Sequence, residues 1–86
     1  MDTYRPLQKY LESLPPDRSD VSLSFAKVEE LIGCALPSSA RRYAAWWNNE
    51  RQGRHVQARS WVDAGWTASA DLVAEVVRFS RAHQTV

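Results

Sequence analysis

The side chains best suited to chemistry in this sequence are five arginines gathered in its middle. Arg41, Arg42, Arg51, Arg54 and Arg59 lie between residues 39 and 60 with Glu50 as the one acid, a local charge of +4 in a chain whose total is +1. Guanidinium forks pair bidentately with phosphate or with a guanine edge, so such an island suits a polyanion; a solvated helix surface would carry the same pattern. Asn48, Asn49, Gln52, His55 and Gln57 are interleaved with the arginines, beside Trp47 and Trp61. These are side chains that donate to phosphates and read base edges. Ser38 and Ser39 follow Pro37 at an expected helix start, where hydroxyls and free amides also suit phosphate.

Catalytic material is thinner. His55 with Asp63 or Glu50 would make a sparse acid–base pair, and His83 lies in the terminal tail, where preorganisation fails. Cys34 follows Gly33 between two expected helices and reads as a small packed apolar residue. One Cys and two His give no zinc site, and three isolated Gly form no phosphate-cradling loop. The expectation is a protein with no catalytic residue, metal or cofactor.

The elements that must position these groups fit one domain over residues 1–86, with 81–86 as a frayed tail. Four Trp, three Tyr and two Phe supply a core within a 44% hydrophobic composition. Apolar runs fall far short of the ~20 residues that span a bilayer. With no signal-peptide pattern at the start, the expected location is the cytoplasm, without membrane contact. Tyr4, Leu7, Leu11 and Leu14 form one stripe of a first helix that Thr3 can cap and Pro15-Pro16 stop. Val21, Leu23 and Phe25 alternate with serines as a strand, and Ser24 can cap a second helix striped by Phe25, Val28, Leu31 and Ile32 and closed by Gly33. Pro37-Ser38-Ser39 opens a third helix that puts Ala40, Tyr43, Trp46 and Trp47 on one face. Residues 48–53 read as a loop, and a fourth helix runs from His55 to Ala64 with Ala58, Trp61 and Val62 inward. Trp46, Trp61 and Trp66 are assigned to the core; one of Trp46 and Trp47 is left half exposed, since neighbours on a helix point about 100° apart.

The last stretch fits two shapes. Leu72, Val73, Val76 and Val77 match a helix face, which periodicity favours, whereas β-branched residues and Phe79 suit a hairpin of Trp66–Ala70 with Val76–Ser80. The fold class is therefore α+β, with about four short helices and a small antiparallel sheet made by the strand near 21–25 and a C-terminal hairpin. Within it, Phe25 to Trp47 has the layout of a helix-turn-helix, in a core like a winged helix. Its second helix would offer Ser38, Ser39, Arg41 and Arg42 to DNA.

The runs VSLSFAKVEELIG, LPSSARRYAAWWNN and HVQARSWVDAGW resemble a family of small uncharacterised bacterial and phage domains. That family carries a Phe-x-x-Val/Ile-Glu start, Leu-Pro-x-Ser-Ala and Trp-Trp-x-Asn segments, and His-x-Gln-Ala-Arg-x-Trp leading to Ala-Gly-Trp. The resemblance implies strand–turn–strand after Trp66, although the usual turn Gly is absent here. It also implies a domain that occurs alone or attached to larger proteins, some nuclease-like, and carries over no catalytic site. The resulting expectation is non-catalytic binding of nucleic acid, most simply duplex DNA, through Ser39, Arg41, Arg42, Asn49, Arg51, Arg54, His55, Gln57 and Arg59. The alternative is a protein-interaction module, an adaptor or regulator of a larger bacterial or phage system. Either could work as a homodimer.

Overall fold

The first helix, α1, runs Arg5–Glu12 with proline in its opening turn, where a missing amide breaks no helical bond. Tyr4 rather than Thr3 holds the cap position, without a side-chain cap bond. Leu7 and Leu11 face the core. The structure is a computed structural model that describes residues 3–49 and 56–82. Strand β1, Asp20–Ser24, alternates as its sequence requires, burying Val21 and Leu23 between exposed serines. Ser24 then caps α2, Phe25–Ile32, its hydroxyl accepting the Lys27 amide at 3.0 Å. Gly33 closes α2 at φ 78°, a left-handed conformation that favours glycine. Cys34 just beyond it is exposed, so the turn carries the thiol outward and the packed apolar role does not hold.

The third helix differs from its expected length. α3 covers only Ser38–Arg42; Tyr43 is extended (φ −127°, ψ 120°), and a 3-10 turn takes over at Ala44–Trp47. The break solves a geometric conflict. Neighbouring residues on a straight α-helix diverge by about 100°, yet Trp46 and Trp47 are both buried, at 8% and 2% exposure. Re-aiming the chain at Tyr43 admits both indoles and leaves Tyr43 outside at 60% exposure. It also releases the Ala40 carbonyl, which would accept the Ala44 amide in a continuing helix and instead accepts the Trp47 indole Nε1 at 2.8 Å. The fourth helical segment is likewise split, a 3-10 turn at Val56–Ala58 leading into α4, Arg59–Val62, with Ser60 and Trp61 buried.

After Gly65 (φ 89°) the chain forms a hairpin, β2 Trp66–Asp71 and β3 Val76–Arg81, which removes the helical alternative for this stretch. Its turn needs no glycine. The Asp71 carboxylate accepts the Val73 and Ala74 amides at 3.0 Å each, and Glu75 takes the left-handed position at φ 56°. The strand order is β1-β3-β2, antiparallel throughout, with Val21 and Ala68 both opposite Phe79. One face buries Trp66, Val77 and Phe79 with Val21 and Leu23, while Ser22, Ser24, Thr67, Ser69 and Arg78 face solvent. The helices thus cover one side of the sheet, a two-layer α+β domain as expected.

An aromatic stack ties the layers together: Phe25 to Trp47 at 5.2 Å, Trp47 to Trp61 at 5.8 Å, and Trp61 to Phe79 at 5.7 Å between ring centroids. The far edge is fastened by Arg81, part of the stretch expected to fray. Its Nε donates to the Arg18 carbonyl at 3.0 Å and Nη2 to that of Pro15 at 2.8 Å, with the guanidinium 4.3 Å above the Trp66 ring. The Ala82 amide bonds the Gly65 carbonyl at 2.8 Å, so Arg81 and Ala82 are not frayed, and the rest of the expected tail, 83–86, lies outside the described residues.

Candidate functional site

Each expected binding residue stands on a different footing once its partners are counted. Arg41 leaves α3 toward α2 and the hairpin turn, where Nη2 meets Glu29 Oε2 at 3.0 Å and Nη1 meets Glu75 Oε2 at 2.7 Å. The same Glu29 oxygen accepts the Leu36 amide at 2.8 Å. That amide and Arg41 hold the Glu29 carboxyl below its usual range, and the hydrogen bond to Glu29 leads in raising the Arg41 guanidinium. One carboxylate therefore joins α2 to α3, and Arg41 extends the join to the sheet. Arg41 is occupied as a structural cross-link rather than offered to a ligand.

Two further expected readers of bases also serve the fold. Asn49 replaces a missing neighbour on the outer edge of β2: its Oδ1 accepts the Ala68 amide at 2.7 Å and the Trp61 indole at 2.9 Å, and Nδ2 donates to the Ala68 carbonyl at 3.2 Å. A single amide side chain thus imitates a strand and anchors the central indole of the stack. Gln57 is buried at 6% exposure, with Nε2 donating to the Trp46 carbonyl at 2.9 Å. Burial withdraws Gln57 from solvent, which corrects the expectation that it reads a base, while Asn49 is exposed with its amide engaged by Ala68 and Trp61. Trp-Trp-x-Asn and Gln-Ala-Arg-x-Trp are accordingly packing motifs to a large degree.

Arg5, Arg42 and Arg59 flank in sequence the segments that meet at Trp46. Tyr4 meets its ring edge-on at 6.0 Å, and its carbonyl takes the Gln57 bond, so the start of α1, the Ala44–Trp47 turn and the approach to α4 converge there. Arg5 follows Tyr4, Arg42 precedes Trp46 by four residues, and Arg59 follows Gln57 by two; all three are exposed. Neither Arg5 nor Arg42 pairs with an acid among the described residues. Ser39 is partly exposed. Arg51, Arg54 and His55 lie outside the described residues, on the segment joining Asn49 to Val56. Sequence reasoning did not single out Arg5, which it counted within an acidic first 38 residues, or the exposure of Tyr43, because an unbroken helix was assumed.

An open cleft of about 410 Å³ lined by Pro16, Ala64, Gly65, Arg81 and Ala82 contains no nucleophile and no carboxylate. Among the described residues no three His, Cys, Asp or Glu side chains gather as a metal site, and no helix is long and apolar enough to cross a membrane. What the fold and this surface define is a small two-layer domain, cross-linked by its own polar motifs, with exposed arginines on its helical elements. Its residues 4–82 match the model of a domain of unknown function, DUF7662, and the chain belongs to that family. No curated protein and no solved structure matches it.

Proposed function

We propose that this protein is a non-catalytic nucleic-acid-binding module, which holds the phosphate backbone through Arg42 and Arg59 with Arg5, and through Arg51 and Arg54 of the adjoining segment. The observation that carries this reading is the packing of Tyr4 and Gln57 against Trp46, with exposed arginines flanking that contact in sequence: Arg5 after Tyr4, Arg42 at the end of α3 and Arg59 at the start of α4. Phosphate contacts of this kind give affinity without sequence choice. The groove-reading version has less support, because α3 ends after five residues and Arg41 faces Glu29 and Glu75.

The test is a salt titration of binding to a labelled oligonucleotide of mixed sequence, followed by anisotropy between about 50 and about 200 mM salt. Affinity falls steeply across that range, and Arg42→Ala with Arg59→Ala reduces the slope of log K against log salt by about 1.5 to 2, at about 0.7 per phosphate contact on a single strand and about 0.9 on a duplex. Micromolar protein that leaves the probe unbound at low salt overturns the proposal. A protein partner is the second reading, favoured by Val73, 97% exposed at the hairpin turn; a complex that survives nuclease treatment and is lost in Val73→Asp supports it.

A further inference from the structure

Deepening the nucleic-acid reading and resting on it, we infer that the preferred ligand is single-stranded, with Tyr43 as the platform on which an unpaired base stacks. Tyr43 is 60% exposed, while Phe25, Phe79 and all four tryptophans lie within the core. Its position is imposed by the backbone: the extended conformation between α3 and the Ala44–Trp47 turn puts the phenol outside so that both indoles can enter. The flanking Ala44 and Ala45 are exposed and small, and Arg42 beside it is exposed and pairs with no acid among the described residues. A cation to hold a phosphate next to an accessible aromatic face is the minimal unit of single-strand recognition.

Duplex binding would need a different surface. Entering a major groove calls for a helix or ribbon that presents several base-reading side chains. Here α3 has five residues and its Arg41 is cross-linked to Glu29 and Glu75. Asn49 and Gln57 are held by main-chain and indole groups, so stacking rather than edge reading is left to the described surface. Stacking accepts any base, and the expected ligand is accordingly an unpaired strand of little sequence preference.

The experiment measures binding of labelled oligothymidylate and of an equally long mixed-sequence duplex to the full chain at matched salt. The single strand binds at least about tenfold tighter. Tyr43→Ala weakens its binding by about 5- to 100-fold, Tyr43→Phe retains it, and neither change alters duplex binding or the thermal midpoint. Equal or tighter duplex binding, or unchanged oligothymidylate affinity in Tyr43→Ala, overturns the inference while leaving the nucleic-acid reading intact. Binding to neither probe overturns both.

Discussion

The arginines of the sheet side and those of the helical side have opposite fates. On the sheet side, Arg78 meets Asp20 at 2.8 Å, Arg41 bridges Glu29 and Glu75, and Arg81 binds main-chain carbonyls under the Pro15-Pro16 segment. On the helical side, Arg5 and Arg42 are exposed and pair with no acid among the described residues. Charge counted along a sequence weighs both groups equally. What separates them is whether a carboxylate or carbonyl arrives from another element, and that is a tertiary fact. An arginine becomes available to a ligand where folding leaves it without such a neighbour.

This division can be tested from the core outward. Trp61→Ala removes the indole at the middle of the stack and lowers unfolding free energy by about 3–5 kcal/mol in urea denaturation; a loss below about 1 kcal/mol would mean that the stack does not hold the layers together. Asn49→Ala strips the partner from the Trp61 indole and from both main-chain groups of Ala68, and destabilises by about 1–3 kcal/mol in the same assay. Its binding, measured where the variant is fully folded, stays near that of the parent chain. A large loss of affinity there would return Asn49 to the interface.

The carboxylate cross-link has its own signature in pH. Glu29 is held below its ordinary value of 4.5, so it binds fewer protons folded than unfolded, and its stabilisation is present above that value. The contribution disappears as pH falls through the lower folded value. Glu29→Gln therefore flattens the acid limb of a stability–pH curve below about pH 4.5, and an unchanged limb would exclude the cross-link as its source. The smallest effect on stability belongs to the helical side: Arg42→Ala shifts it by less than about 0.5 kcal/mol while reducing the salt slope. Arg41→Ala does the reverse, lowering the thermal midpoint and sparing the slope.

Much of the scaffold was legible because local signals agreed. Ser24 and Gly33 bracket α2 by capping chemistry, and the Val21–Phe25 alternation fixes the buried face of β1. The terminal hairpin was harder, because its turn uses the Asp71 carboxylate and a left-handed Glu75 in place of a glycine signal. The spacing of Ala40, Tyr43, Trp46 and Trp47 fits one unbroken helix face, so it gave no sign of the break at Tyr43 that leaves both indoles buried and the phenol exposed. The candidate site was least legible. Asn49, Gln57 and Arg41 have the composition of an interface, and only their partners from β2, the Trp46 carbonyl and Glu29 show that they also tie elements of the fold together.

The last strand of the chain is the middle strand of the sheet. Until Val76–Arg81 has been synthesised and is free of the ribosome, neither β1 nor β2 has a neighbour, and the aromatic stack lacks Phe79 at its sheet end. Assembly of the sheet thereby waits for β3, and a nascent chain stopped at the hairpin turn would present its tryptophans to chaperones and proteases instead of to one another.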